Sequence, residues 1–441
     1  MDTITFPKRF LWGGATSSHQ IEGGNFNNDW WAFEQVPGHI IDGKISGDAC
    51  DHYHRFREDF ALLKGLNHNA HRLSLEWSRI EPAKGYFSAA AIEHYIEVIK
   101  ELKRLKITPI VTLHHFSTPL WMAREGGWLN PACIDRFAIF TKAVASALGK
   151  DVRLWMTINE PMVYAFFAYI TGEHAPGVKS PLKGFRVARN MLLAHARAYH
   201  AIKEIDPTAQ VGFAKHMRVF EPYRQDNTWD AKIARNQDKA FNMDFIDALF
   251  TGESSGNIKV KPSEKELVKG NCDFIGLNYY ARDSVKFSLL SPSTLFGKTV
   301  PPPPGMKTSH FDVGEYYPHG IYRLLSTISQ YGVPLYVTEN GVATVLDEKE
   351  KDDRYRREYM AAHIYEVGKA LKDGMDIRGY LFWSSFDNFE WAEGYTMRFG
   401  MIHVDYETQK RTIKPSGKLF SEIAKTGVLS PAMLKKYGVA L

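Results

Sequence analysis

Two glutamates sit where acid–base chemistry could use them. Glu160 stands in Thr157-Ile158-Asn159-Glu160-Pro161 and Glu339 in Val337-Thr338-Glu339-Asn340-Gly341. Each closes a short apolar run that reads as a buried strand, and a chain-turning residue, Pro161 or Gly341, follows at once. Neither has a cation beside it in sequence, and a buried, unpaired carboxylate is expensive. Two such groups at the mouths of two core strands suit cleavage of an acetal. That reaction needs an acid on the leaving oxygen and a nucleophile, or an activated water, at the sugar carbon. A carboxyl separation of about 5–5.5 Å serves retention and about 6.5–9.5 Å inversion, and the residues alone leave both open. Their neighbours differ in kind. Thr338 and Asn340 flank Glu339, which a tyrosine hydroxyl would keep ionised. Asn159 and Trp155 give Glu160 apolar company that raises its pKa and holds its proton. Alone, either glutamate reads as well as a salt-bridge partner or a helix N-terminal charge, Glu160 before Pro161 especially. Together, on the fourth and seventh strands of the pattern below, they favour chemistry.

Sugars also need flat apolar surfaces and paired polar groups. Of the 10 tryptophans, Trp77, Trp121, Trp155, Trp383 and Trp391 lie near strand ends. The C–H faces of a pyranose pack on such rings, while its hydroxyls need partners such as Gln20, His115, Asn159 and Glu390. Trp383 and Trp391 bracket Asp387-Asn388-Phe389-Glu390 and are expected against substrate, whereas Trp12, Trp30 and Trp31 read as core. Arg72 lies inside the second strand, so if buried it needs an anionic partner, either for structure or to orient a nucleophile. His115 follows His114 without metal-ligand spacing, so no metal is expected there. His195, His200 and His216 have no evident partner and read as core or surface residues.

The elements that must position these groups alternate. Strand-like runs occupy 10–18, 70–77, 108–115, 154–160, 210–216, 272–280, 334–339 and 377–385. Helical patterns lie between them at 53–66, 89–105, 131–148, 185–205 and 354–371, and in the second Ile92, Ile96, Ile99 and Leu102 recur at helical spacing. Alternation without a composition break argues for a parallel sheet. Eight repeats favour an α/β fold closed as a single eightfold β/α (TIM) barrel over a doubly wound sheet. Such a barrel needs about 250 residues, so the chain has surplus for long loops at the C-terminal face. The clearest loop is 282–318, with prolines at 301–304, a length that is usually functional or disordered. Strand ends carry Gln20, Glu76 with Trp77, His115, Asn159 with Glu160, His216, Asn278 with Tyr279 and Tyr280, Glu339 and Trp383. That is the face on which barrel enzymes build their sites. Residues 1–441 read as one catalytic domain, with the last ~15 residues a peripheral tail.

Composition excludes other classes. The chain is 44% hydrophobic and 24% charged, with a formal charge of +5 spread along its length. Scattered cations argue against a nucleic-acid groove, and the mixed-sign stretch 347–357 reads as an exposed loop and helix start. Cys50, Cys133 and Cys272 are far apart and form no CxxC pair, as expected of buried thiols in a reducing compartment. Residues 1–10 lack a signal-peptide core, and the most apolar run, 162–170, is too short to cross a bilayer. A cytoplasmic protein with no membrane partner is the expectation.

Taken together the motifs resemble glycoside hydrolase family 1, the retaining β-glucosidases and related β-glycosidases. The likeness runs from Phe10-Leu11-Trp12-Gly13 to about Phe420. It includes Ala15-Thr16-Ser17-Ser18-His19-Gln20-Ile21-Glu22-Gly23, Trp155…Asn159-Glu160-Pro161, Thr338-Glu339-Asn340-Gly341 and Asp387-Asn388-Phe389-Glu390-Trp391, in family order. The resemblance implies Glu160 as general acid/base and Glu339 as nucleophile, with net retention through a covalent glycosyl-enzyme. It implies that Arg72 and Tyr280, with Asn278, support the nucleophile. Gln20, His115, Asn159, Glu390 and Trp391 would bind the sugar hydroxyls and Trp383 would lie beneath the ring. Trp121 and Trp155 are expected toward the aglycone, and no metal or organic cofactor is implied.

The reaction so implied is exo release of terminal β-D-glucosyl residues, with β-galactosyl and β-fucosyl side activity, from oligosaccharides or from aryl and alkyl glycosides. A phosphorylated sugar is not expected. Phe389-Glu390-Trp391 is intact, Ala392-Glu393-Gly394-Tyr395 offers no lysine, and a carboxylate at Glu390 would repel phosphate. Two stretches depart from the usual pattern, His115-Phe116-Ser117 and the histidine that opens His71-Arg72-Leu73-Ser74-Leu75-Glu76. Both bear on sugar preference. Within the family the rivals are a β-mannosidase or a transglycosylating variant. Outside enzymes, the rival is a silent carbohydrate-binding protein, which would be expected to lose one of the two carboxylates.

Overall fold

A computed structural model describes residues 2–303, 306–310, 313–345 and 353–440. The eight runs form eight strands: β1 (Leu11–Ala15), β2 (Ala70–Ser74), β3 (Thr108–His114), β4 (Leu154–Asn159), β5 (Gln210–Pro222), β6 (Phe274–Phe287), β7 (Leu335–Glu339) and β8 (Ile377–Trp383). Each pairs in parallel with the next, and β8 pairs with β1, so the sheet closes on itself. The fold is the expected eightfold β/α barrel. Burial on both faces explains why the strands read as apolar runs and not as alternating ones. Inside, Ala70, Ile110, Leu154, Met156, Ala214, Phe274, Tyr336 and Leu381 fill the barrel as one cluster.

Helices cover the outside: α1 (His52–Gly65), α2 (Ala89–Arg104), α3 (Ala132–Leu148), α4 (Pro181–Ile205), α5 (Asp244–Thr251), α6 (His319–Ser329), α7 (Arg354–Lys372) and α8 (Pro415–Thr426). Helix α2 shows how local chemistry sets an element. The Ser88 side chain caps its start by accepting from the Ala91 N–H, and Lys103 and Arg104 lie in its last turn, where cations suit the helix dipole. Its buried stripe is Ala91, Tyr95, Val98, Ile99 and Leu102. Each large side chain removed from water there contributes about 1.5–3 kcal/mol. Ile92 and Ile96 flank the stripe, partly buried.

Three expectations change. The stretch 282–318 is a β-annex, not a loop. Strand β6 continues alongside β5 as far as Val285 opposite Pro222. It is then met antiparallel by Gly297–Val300 and by Val313–Glu315, which also pairs with Thr308–His310. Arg282 and Ser284 each hydrogen-bond Glu315 at 2.7 Å, which ties the annex to its own strand; Pro304 lies outside the described residues. The chain end is packed. Val428–Leu429 pairs with Ile4–Thr5, and Leu429, Met433 and Leu434 are buried. Of the charged stretch, 347–352 lies outside the described residues, while Asp353, Arg356 and Arg357 are buried, Asp353 pairing with Arg356. Cys50, Cys133 and Cys272 are buried thiols. Among the described residues no helix is long and apolar enough to cross a membrane.

Candidate active site

At the C-terminal ends of the strands opens a cavity of about 500 Å³ whose lining includes Glu160 and Glu339. Local backbone aims Glu160 into it. Glu160 adopts φ 47°, ψ 60°, a left-handed conformation that costs a non-glycine residue about 1–3 kcal/mol and recurs at functional sites. Its N–H donates to the Ala214 carbonyl at 2.9 Å, and its carbonyl accepts from the Tyr164 N–H at 3.0 Å. The chain thus leaves β4 and enters the helical turn at Pro161, whose ring suits a first helical position. Phe116 and Trp391, also in the lining, have positive φ as well.

The two carboxyls have different partners. Arg72 is fully buried and pairs with Glu339 Oε1. It also donates to Thr112 Oγ1 at 3.0 Å and Asn159 Oδ1 at 2.6 Å. The Tyr280 hydroxyl donates to Glu339 Oε2 at 2.7 Å. Arg72 and Tyr280 therefore both reach Glu339. Asn278 does not. Its Nδ2 donates to Glu160 Oε1 at 2.7 Å and to Asn159 Oδ1 at 3.2 Å, while its Oδ1 accepts from Thr338 Oγ1 at 2.6 Å. It supports Glu160, not the nucleophile candidate. Asn278 and Tyr280, two apart on β6, face the same side, and of the two only Tyr280 reaches Glu339. Glu160 has a further partner in His216 Nδ1, 3.2 Å from Oε1.

Burial pushes both carboxyls up to about 7. Against burial, the Asn278 amide, Arg72 and Lys215 lower Glu160. Arg72 lowers Glu339, the Glu160 charge raises it, and the Tyr280 hydroxyl lowers it again. Two adjacent buried anions repel, so the pair titrates together and one proton is shared between them. Glu339 touches a guanidinium and a phenol. Glu160 touches an amide and an imidazole that burial, with Arg218 and Lys215, keeps neutral. The contacts favour the proton on Glu160, and removing that charge lets Arg72 and Tyr280 hold Glu339 ionised.

The sugar-facing residues divide into those that reach the cavity and those behind it. His115, Asn159, Trp383, Glu390 and Trp391 line it. Asn159 turns its Oδ1 to Arg72, so its Nδ2 faces His115 Nε2 at 3.2 Å, leaving Nδ1 as the protonated nitrogen of a neutral ring. The His115 ring lies nearly parallel to Trp383 and Trp391, at 5.7 and 6.1 Å between centroids. Burial, with the Glu339 and Glu393 charges, pushes Glu390 up to about 8. Gln20 is fully buried. Its Nε2 donates to Asn388 Oδ1, the Phe389 carbonyl and Glu390 Oε2 at 3.0, 3.0 and 3.2 Å, so it holds Glu390 from behind.

Trp155 and Trp121, expected toward the aglycone, are not among the residues that line the cavity. Trp155 is buried in the hydrophobic core outside the barrel, its Nε1–H bonded to the Val152 carbonyl at 3.1 Å. It is also no part of the surroundings of the Glu160 carboxyl, whose burial comes from the barrel mouth. Trp121 packs on the same core and donates to the Glu81 carbonyl at 2.9 Å. Trp12, Trp30 and Trp77 are buried core residues, while Trp31 is half-buried against Phe26. His195 is a satisfied core histidine between Thr157 Oγ1 and the Asn271 carbonyl.

The outer cavity holds what sequence reasoning missed. Phe166, Phe167 and Ile170, from the helical turn Ala165–Thr171, face Phe241 and Leu295 across it. The signal was present, since these residues belong to the most apolar run of the chain. Arg218 and Asp283 form an ion pair at 2.7 Å in the lining. Among the described residues no three His, Cys, Asp or Glu side chains are grouped to hold a metal.

Comparison with known proteins bears on this site. The sequence profile of Glycosyl hydrolase family 1 matches residues 2–428. The 1,4-beta-D-glucan glucohydrolase of Thermotoga neapolitana is 35% identical, over 96% of this chain and 99% of that protein. Beta-glucosidase A of Thermotoga maritima is 35% identical over 97% and 100%. The solved beta-glycosidase from Pyrococcus horikoshii superposes with a TM-score of 0.89 at 38% identity, covering 99% of each chain. The family 1 b-glucosidase from Thermotoga maritima in complex with isofagomine lactam superposes with a TM-score of 0.90 at 33% identity, covering 97% of this chain and all of that one.

Proposed function

The chain belongs to glycosyl hydrolase family 1, and we propose that it is a retaining exo-β-glucosidase with Glu160 as acid/base and Glu339 as nucleophile. One observation carries the reading: two carboxyls share one cavity with unequal partners, Glu339 with Arg72 and Tyr280, Glu160 with Asn278 and His216. Glu339 attacks the anomeric carbon while Glu160 gives its proton to the glycosidic oxygen, and the aglycone leaves as an alcohol. Glu160, now anionic, takes a proton from water, which displaces Glu339 and frees the sugar with its configuration retained. Both steps as written use side chains and water alone. Asn159, His115 and Glu390 are suited to the sugar hydroxyls, and Trp383 and Trp391 to its C–H face.

Relatives support a glucosyl preference, since the matched Thermotoga proteins are named for glucan and β-glucoside hydrolysis. The Thermotoga maritima enzyme has also been solved with a galacto-hydroximolactam, which supports β-galactosyl side activity. β-Fucosyl hydrolysis follows the same geometry with one hydroxyl fewer. A plain sugar is favoured over a phosphorylated one. With Glu390 raised to about 8, it is chiefly a neutral hydrogen-bonding acid at pH 7, so its charge is a weak barrier. The rim instead offers Glu173 and Glu393, and among the described residues no lysine lines the cavity.

A panel of aryl β-glucosides tests the mechanism. Glu339→Gly should abolish hydrolysis and regain turnover with added azide, giving the α-glucosyl azide; normal activity in this variant would falsify the nucleophile assignment. Glu160→Ala should slow poor leaving groups by about 10²–10⁴-fold, the usual worth of general acid catalysis, and good ones far less. An equal loss across the panel removes Glu160 from the acid role.

A further inference from the structure

Glu160 has two oxygens, and the one that carries the proton decides where that proton can go. We infer that His216 makes the choice: its Nδ1–H joins the Asn278 amide on Oε1 and leaves the proton of Glu160 on Oε2. The inference rests on the reading of Glu160 as the acid, and makes His216 a positioning residue.

Hydrogen-bond polarity can be followed outward from Arg72, which only donates. Its Nη2 lies 2.6 Å from Asn159, so the Asn159 atom there is the oxygen. The Asn278 atom 3.2 Å from that oxygen is then the amide nitrogen, and the same nitrogen lies 2.7 Å from Glu160 Oε1. Oε1 is thereby an acceptor, the role that suits the carbonyl oxygen of the acid better than its hydroxyl oxygen. His216 Nδ1, 3.2 Å from that oxygen, faces an acceptor and donates to it. Two N–H groups now occupy Oε1, and the hydroxyl is Oε2. Its Nε2 has no partner among the described residues, in keeping with the unprotonated nitrogen of that tautomer.

The surroundings hold His216 in this state. The ring stacks on Tyr280 at 5.5 Å and 27° between planes and meets Phe241 edge-on at 5.8 Å. Lys215 Nζ donates to the His216 carbonyl at 2.7 Å, fixing the backbone. The charged and titratable groups about it are Lys215 and Arg218 on its own strand, Tyr280 and Asp283 on β6, and Glu160 just past β4. Burial, Arg218 and Lys215 keep the imidazole neutral, against Asp283. In the second step the same contacts present Oε2 of the carboxylate to water, so one geometry serves both proton transfers.

The test is the leaving-group dependence of kcat/KM over aryl β-glucosides in three variants. His216→Leu removes the donor and keeps an apolar filler, while His216→Asn places an amide N–H near the Nδ1 position. In His216→Leu, poor leaving groups should slow by about 10- to 30-fold, the scale of one lost hydrogen bond to a reacting group, and 2,4-dinitrophenyl β-glucoside by less than about 3-fold. His216→Asn should recover most of the loss and restore the wild-type slope. A wild-type slope in a folded His216→Leu overturns the inference. So does an Asn variant as impaired as the Leu variant, which would mean that the ring matters only as packing. Glu160→Ala, run alongside, separates the two readings: if its slope is unchanged, the acid assignment itself has failed.

Discussion

At the residue scale the site works by unequal burial. Glu160, Glu339 and Glu390 all lie above the ordinary carboxylate range because each is withdrawn from water, and among the described residues only Glu339 has a cation in contact with it. Glu390 makes this measurable. Its folded value is about 8 against 4.5 for the free side chain. A raised acid stabilises the fold fully below its unfolded pKa, and that contribution is lost as pH rises through the folded one. Glu390→Gln cannot ionise, so its melting temperature should gain on wild type between about pH 5 and about pH 9. Scanning calorimetry at both ends reads this, and a constant gap would mean that Glu390 is not held neutral. Much of the site was legible in the sequence because its motifs place Glu160, Glu339 and Tyr280 toward strand ends, Arg72 within a strand and Glu390 in the loop after β8. Asn278 and His216 were misjudged for one reason. Which glutamate a side chain reaches depends on the register between strands, and register is not written in either strand alone.

At the element scale β7 and β8 meet at their C-terminal ends with no room to spare. Gly341, two residues past Glu339, packs so closely on the Trp383 carbonyl that an added Cβ would overlap it. The Trp383 N–H in turn donates to the Asn340 carbonyl at 3.1 Å. Gly341→Ala must therefore spread the two strand ends that carry Glu339 and Trp383. A misplacement of about 1 Å costs on the order of 10²-fold in rate. The expected result is a folded variant with kcat reduced on that order across all aryl glycosides, leaving-group ability making no difference. A wild-type kcat would show that the strands part without moving the carboxylate. The starts of the eight strands and of helices α1 to α4 and α7 were readable to within a few residues, whereas α5, α6 and α8 were not among the helical patterns. The annex at 282–318 was not, because its prolines and glycines resemble those of a loop. What makes it a sheet is the long extension of β5 and β6 beyond the barrel, a tertiary partner that no local pattern announces.

For the whole molecule, eight repeats of strand and helix made closure legible from the chain alone, since an eightfold parallel sheet with this periodicity has few other ways to bury both faces. The packed ends were not legible: Ile4–Thr5 and Val428–Leu429 pair across the full length of the chain, and two-residue strands carry no periodicity. Arg72 joins the scales. From β2 it bonds Thr112 on β3, Asn159 just before the Glu160 turn on β4, and Glu339 on β7, so it gathers strands from both sides of the ring. A barrel lacking β7 would leave this buried guanidinium without its anion and Glu339 without its cation. Closing the ring and charging Glu339 are therefore one event. In refolding from urea, enzymatic activity should return with the same time constant as the last step of tertiary assembly, with no compact but inactive species after it.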